Sequence, residues 1–218
     1  LNMAQNGVFG EILRAQGAYI HNLSDFWDYY WKNPNGSDPE QLGWRLKYNR
    51  ENRGDIYATH GLGPVAQALN IHRGDRMTSL VAMDTKSVQG KELVEAKTGK
   101  PCNDFRNGDH TTTLIQTADR KVIELQHDVM NPQPYSRLYQ LTGTKGFANK
   151  YPIEGYAVDA KQLKATGNAP KVDNLTSHEF MPDDQRKALE EKYESPILKK
   201  FGKLAKEVGG HGGMDFIM

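Results

Sequence analysis

Cysteine is almost absent. Cys102 stands alone among 218 residues, which excludes an internal disulfide and any thiolate metal cage. Net charge is nearly absent too, since 28 Lys+Arg face 27 Asp+Glu and leave +1. That balance offers no long-range field to draw in nucleic acid or an anionic membrane surface, so a basic-patch binder is disfavoured. No apolar run approaches the roughly 18 residues that a membrane helix needs, so no membrane span is expected. The first residues, LNMAQNGVFGEIL, lack the basic start and apolar stretch of a secretion signal. The compartment stays open: an export signal on a preceding segment would mean a periplasmic or exported protein, and its absence a cytoplasmic one. What the chain does have is twenty aromatic residues spread along its length, enough for a core even at 37% apolar and 25% charged. The length suits one domain with at most an appendage.

Both ends read as cut. Residues 1–6 resemble the last turn of a helix stopped by Gly7, and GGHGGMDFIM at 209–218 breaks off as an apolar pattern begins. Between them, alternation of apolar and polar residues predicts a strand over 10–20, and strand-like composition predicts others over 76–86, 111–118, 121–129 and 135–143, with a further extended piece at 146–157. Ser24 can cap a short aromatic helix over 25–31, ended by Asn33-Pro34-Asn35-Gly36. Residues 36–55 show neither period and read as a long surface loop. Helices are expected over 64–70, where Pro64 presets the first turn, over 88–98, and over 183–207, divided at Ser195-Pro196. The short links between the later strands demand antiparallel pairing. The fold class is therefore α+β: an open, mainly antiparallel sheet with helices on one face, and a helical tail over 183–218.

Gly61-Leu62-Gly63-Pro64-Val65-Ala66 imitates the G-x-G-x-x-A dinucleotide fingerprint, and Asp84 lies at about the distance of a ribose-binding acid. The residues before it, Gly54 to His60, are polar, whereas the first strand of a parallel sheet is an apolar run. The stretch reads as a tight turn into a helix, not as a cofactor site.

The same segment has a better claim as a catalytic loop. Tyr57 and His60 lie three apart where an irregular stretch enters a helix, so both can face one cleft. His titrates near neutral pH and Tyr can hand on a proton or hold an oxygen, a combination suited to acid–base work on a hydroxyl group. A His that caps the helix and a Tyr that packs would leave the same trace.

The phrase Tyr57-Ala58-Thr59-His60-Gly61-Leu62-Gly63-Pro64 occurs together with Gly17-Ala18-Tyr19-Ile20-His21, Trp44-Arg45, Pro134-Tyr135-Ser136-Arg137, Gly143-Thr144-Lys145-Gly146 and His211-Gly212-Gly213-Met214-Asp215. In this combination the chain resembles glycoside hydrolase family 109, the NAD-dependent α-N-acetylgalactosaminidases of the glucose–fructose oxidoreductase-like (Gfo/Idh/MocA) superfamily. The resemblance runs from the first residue to the last. It implies an N-terminal Rossmann domain holding NAD, absent from this chain, and a C-terminal α/β domain carrying the sugar site, to which residues 1–218 would belong as a fragment of the longer protein.

The resemblance further implies that His60 and Tyr57 are catalytic, acting on hydroxyl protons of the terminal sugar of a glycoconjugate. It places Tyr19, Arg45, Ala58, Thr59 and Tyr135 with them around that sugar. It also implies assembly of like subunits through the bare sheet face, and no turnover by the isolated chain. Many dehydrogenases of the superfamily place an Asp four residues before the site His; here that position is Ile56, with Asp55 one off, which favours the hydrolase branch. The His211 to Asp215 spacing could put two ligands on one helical face, but its glycine-rich setting reads as a capped helix start, and no metal is expected. A sugar or inositol oxidoreductase of the same superfamily and a noncatalytic oligomerisation domain remain the alternatives.

Overall fold

The computed structural model describes residues 1–23 and 43–209. The aromatic helix expected over 25–31, its stop at Gly36 and the His211 to Asp215 pair lie outside the described residues. Seven strands form one open sheet: β1 (Ile12–Ile20), β2 (Met77–Asp84), β3 (His110–Thr117), β4 (Val122–Asp128), β5 (Gln140–Gly143), β6 (Gly146–Asn149) and β7 (Gly155–Val158). Their spatial order is β2-β3-β4-β1-β5-β6-β7. Each neighbouring pair is antiparallel except β1 and β4, which run parallel. The expected open, mainly antiparallel α+β sheet is thus the observed one.

Alternation fixes which side of each strand is buried. In β3, Thr111, Thr113, Ile115 and Thr117 are buried while Leu114 and Gln116 face outward. Their register partners in β4 continue the pattern, with Ile115 opposite Ile123 and Thr113 opposite Leu125. The outer face carries a polar ladder in which Glu124 accepts from Arg14 at 2.6 Å and from Gln16 at 2.8 Å. The described helices are α1 (Asn2–Gln5), α2 (Trp44–Glu51), α3 (Thr59–Ala68), α4 (Gln89–Thr98), α5 (Ala160–Ala165), α6 (Asp183–Tyr193) and α7 (Pro196–Val208), of which α3, α5 and α6 supply Val65, Leu163 and Leu189 to the core beside Ile115, Ile123 and Leu125. Each such side chain contributes about 1.5–3 kcal/mol by leaving water. A smaller cluster of Tyr19, Leu23, Leu46, Val94, Phe105 and Val129 sits at one end of the sheet.

Four expectations shift. Part of the loop read over 36–55 is the helix α2, because Leu46 and Asn49 are buried and tertiary contacts outweigh a sequence with little periodicity. The helix expected over 64–70 begins five residues earlier, so Pro64 lies inside α3 rather than in its first turn. A proline there removes the N–H that would bond the His60 carbonyl; the Tyr139 hydroxyl donates to that carbonyl instead. The strand read over 135–143 starts only at Gln140, since Leu138 and Tyr139 hold φ of 56° and 38° and bend the chain, although Ser136 still bridges to Ile20. The extended piece at 146–157 is two strands, β6 and β7.

Candidate functional site

The site forms where α3 crosses β1. Gly17 and Gly61 allow the two backbones to touch: a Cβ on Gly17 would lie 2.1 Å from the Gly61 carbonyl oxygen. That contact sets His60, the residue before Gly61, over Tyr19 with ring centroids 4.6 Å apart. Tyr57 stands edge-on to His60 at 4.9 Å and tilts against Tyr19 at 5.4 Å. Ala58 and Thr59 form the entry of α3, with Thr59 exposed and the Ala58 carbonyl accepting from the Leu62 N–H.

Arg45 comes from α2, its guanidinium carbon 4.4 Å from the Tyr57 ring centre and 4.6 Å from that of Trp44. A buried amide clasp holds α2 in place. Asn107 donates to the Asn49 side chain at 2.9 Å and accepts from the Gly54 N–H at 2.9 Å, while Asn49 donates to the Arg45 carbonyl. One loop residue therefore ties the helix bearing Arg45 to the segment leading into Tyr57. Asp109 anchors that loop by accepting from the N–H groups of Val88, Gln89 and Gly90 at the start of α4.

Tyr135 sits at the rim, 41% exposed, and meets the rest through His21, whose ring it faces edge-on at 5.0 Å. The structure thus gathers Tyr19, Arg45, Tyr57 and His60 directly, and Tyr135 through one intermediary. Two further members are not singled out from the sequence. His21 shares a hydrogen bond with Tyr19, Oη to Nδ1 at 3.1 Å. His127, in register with Tyr19 across β1 and β4, lines a narrow cleft together with Tyr19, Trp44, Arg45, Tyr57 and Val129. The signal for His21 is its i, i+2 relation to Tyr19, which puts both on one side of an extended chain.

Electrostatics differ sharply within this small volume. Burial pushes the His127 imidazole down to about 4, and the nearby His110 and Arg45 charges add to this against the pull of Asp128, so it stays neutral at ordinary pH. Burial raises the Asp55 carboxyl to about 6, although it accepts from the Tyr57 N–H. Asp128 is also buried, yet hydrogen bonds from His110, Asn131 and Met130 hold its carboxyl below the usual range.

Residues 61–66, the imitation fingerprint, lie within α3 with Gly61 pressed on β1, so they form no strand-to-helix cradle for a pyrophosphate. The gathered phenols, imidazoles and guanidinium instead suit hydrogen bonding and proton exchange with a hydroxyl-bearing ligand. Among the described residues no three His, Cys, Asp or Glu side chains come together as a metal site. A larger groove of about 930 Å³ between α3 and β5 to β7, lined by Pro64, Gln67, Tyr139, Leu141 and Tyr156, contains none of the expected site residues. No helix of the described residues is long and apolar enough to cross a membrane.

Fold and site together define an open-sheet α+β domain with an aromatic and imidazole cluster at one end of its central strands. The chain belongs to glycoside hydrolase family 109: the family model described as Glycosyl hydrolase 109, C-terminal domain, matches residues 1–218. Glycosyl hydrolase family 109 protein 5 of Phocaeicola vulgatus is 72% identical over the whole chain, and protein 4 of the same organism 73%. Glycosyl hydrolase family 109 protein 1 of Bacteroides thetaiotaomicron is 54% identical over the same 218 residues. The chain spans 41%, 42% and 44% of the length of these three relatives. Among solved structures, apo scyllo-inositol dehydrogenase from Lactobacillus casei matches 70% of this chain and 36% of its own at 12% identity and a TM-score of 0.44. A levoglucosan dehydrogenase in complex with NADH and levoglucosan matches 72% of this chain and 38% of its own at 16% identity and a TM-score of 0.42.

Proposed function

We propose that this domain is the sugar-binding half of an NAD-dependent, redox-assisted exo-glycosidase that removes terminal α-N-acetylgalactosamine. The observation that carries the reading is the packing of Tyr19, Tyr57 and His60 within 4.6–5.4 Å of one another, with the Arg45 guanidinium over Tyr57. Membership in a glycoside hydrolase family supports it. So does the relatives' length, more than twice that of this chain, which leaves room for a nucleotide-binding domain that residues 1–218 do not contain. NAD, held by a domain outside residues 1–218, would supply a reversible hydride acceptor for the sugar's C3 carbon.

Three proton movements then fall to this chain: off the C3 hydroxyl, off C2 once the neighbouring carbonyl has acidified it, and onto the departing glycosidic oxygen. Water adds its oxygen at C1 and a proton returns to C2, so the net change is hydrolysis. The His60 imidazole takes and returns protons, and the Tyr57 hydroxyl passes them on or holds the oxygen. Tyr135, exposed at the rim, offers its face to the C–H surface of a pyranose, Tyr19 backs the pocket behind Tyr57 and His60, and the forked donors of Arg45 bind sugar oxygens or the N-acetyl carbonyl. The Ala58 and Thr59 backbone lines the entry of α3. Such chemistry needs no pair of carboxylates flanking the glycosidic bond.

The test is release of nitrophenol from p-nitrophenyl α-N-acetylgalactosaminide by the longer polypeptide with NAD. Turnover that falls at least 100-fold in His60→Ala is expected; no turnover, or turnover unchanged in that variant, refutes the reading. Net accumulation of NADH would instead favour a sugar oxidoreductase. We also propose self-association through the outer sheet face, where Val81, Met83 and Leu114 stand 59%, 77% and 44% exposed on one side. Light scattering reads it, and a monomer at working concentration overturns it.

A further inference from the structure

Tyr19 is 5% exposed and lies among three imidazoles, those of His60, His127 and His21. His21 shares a hydrogen bond with the phenol, Nδ1 with Oη at 3.1 Å, the rings nearly perpendicular. Its backbone is fixed just past the end of β1, where the His21 N–H donates to the Asp128 carbonyl at 2.9 Å. The other side of its half-buried ring meets Tyr135. The imidazole therefore spans the distance from the buried phenol to the rim of the site.

We propose that His21 is a positioning residue for the sugar reaction: it orients the Tyr19 hydroxyl and exchanges a proton with it, making Tyr19 a second proton-handling group beside His60 and Tyr57. This deepens the sugar-site reading and rests on it. A neutral phenol alone is a poor acceptor for a hydroxyl proton, because accepting one without releasing its own would leave a cation. With an imidazole nitrogen behind it, the phenol takes the proton of a sugar hydroxyl on Oη as its own O–H bond breaks toward Nδ1 of His21. One O–H bond forms, one breaks, no electrons leave, and the positive charge ends on the imidazolium; the return step runs the same path backwards. Other titratable groups face this pair. They are His60 and Tyr57 from α3 and its lead-in, His127 from β4, Arg45 from α2, and Tyr135, backed by Arg137 and Tyr151.

The experiment compares His21→Asn, whose amide can stand where Nδ1 stands but cannot titrate, with His21→Phe, Tyr19→Phe and the double variant His21→Asn/Tyr19→Phe. Each is made in the longer polypeptide with NAD, checked for folding by circular dichroism, and assayed with p-nitrophenyl α-N-acetylgalactosaminide across pH. His21→Asn is expected to keep KM within about 3-fold, lower kcat about 10- to 100-fold, and move the acidic limb of the kcat profile. The double variant should lose no more than Tyr19→Phe alone. A wild-type profile in His21→Asn, or losses that multiply in the double variant, overturns the proposal. If the parent protein does not turn over the glycoside, the sugar reading fails by itself. The pair is then read by nitrogen NMR of the imidazole in the 218-residue chain: a His21 titration unmoved by Tyr19→Phe overturns it, and a shift upholds it.

Discussion

Gly17→Ala is the substitution that most directly tests how the site is held. A Cβ at that position would stand 2.1 Å from the Gly61 carbonyl oxygen and 2.8 Å from its carbon, whereas real Cβ contacts stay beyond 3.0 Å. Both obstructing atoms are backbone, so no rotamer change relieves the clash, and α3 must move off β1 by about 1 Å. That gap weakens the dispersion contacts under Val65 and Leu69, which are 3% and 1% exposed. Strain and lost packing together should cost about 2–3 kcal/mol, which for a chain of this size lowers Tm by about 5–10 °C. His60 moves with Gly61, and a displacement of about 1 Å at the reacting groups lowers turnover about 100-fold. Gly63→Ala is the control: its Cβ would meet nothing within 4 Å, and in a helix interior it should stabilise by about 0.5–1 kcal/mol. Thermal and urea melts followed by circular dichroism, with the glycoside assay beside them, measure all of this. A Gly17→Ala protein that melts with the parent, or a Gly63→Ala protein that melts below it, would refute the close-approach argument.

Tyr139→Phe should cost about 1–2 kcal/mol by removing the hydroxyl that donates to the His60 carbonyl. In a Pro64→Ala background, where residue 64 regains its N–H, thermal melts should show a smaller loss; equal losses would mean that the hydroxyl does not replace the helical bond. Two buried groups should give opposing pH slopes. The Asp55 pKa is raised to about 6, so its contribution is fully present below about pH 4 and is lost as pH rises through 6; the His127 pKa is lowered to about 4, so its contribution is present above about pH 6.5 and is lost as pH falls through 4. Each is worth at most about 3 kcal/mol, and between pH 4 and 6 they largely cancel. In urea melts across that range Asp55→Asn should unmask stability that climbs with pH and His127→Gln stability that declines, whereas variants running parallel to the parent would contradict the assignment.

Strands were legible where one face is buried and the other wet. Thr111 to Thr117 read as a strand and alternate in burial, and the short Asp119-Arg120 link forces β3 and β4 to pair as a hairpin. Legibility failed where tertiary contacts decide. Nothing in residues 44–51 announces α2, because its stability comes from Leu46 in the small core and from the Asn49 and Asn107 amides, whose partner lies 58 residues away. Pro64 reads as a helix start because its usual cost inside a helix is not visible as offset until Tyr139, 75 positions later, swings onto the His60 carbonyl. Within the candidate site, Tyr57 and His60 were legible as a pair by spacing alone. His21 and His127 were not, since one follows a strand and the other occupies an inward strand position, where a histidine reads as a packing residue until its neighbours are known.

The position of the site follows from one topological fact. In an antiparallel sheet adjacent strands end at opposite edges, so their exits are separated. β1 and β4 run parallel, and their last pair, Ile20 with Asp128, brings two strand ends to the same edge. The ladder persists a little further through His21 to Asp128 and Leu23 to Val129 before the chains part. A notch opens there, as at the switch point of open α/β sheets where ligands bind beyond the strand ends; Tyr19 and His21 line it from one strand and His127 from the other. A parallel return also needs a long connection. Here that connection contains α2 and α3, so the chain that must cross the sheet is the chain that delivers Arg45, Tyr57 and His60. The Gly17 and Gly61 contact brings α3 down onto the notch instead of beside it. Sheet topology, helix approach and side-chain chemistry thus converge on a single edge, which is why a substitution as small as a methyl group at Gly17 should register in both stability and turnover.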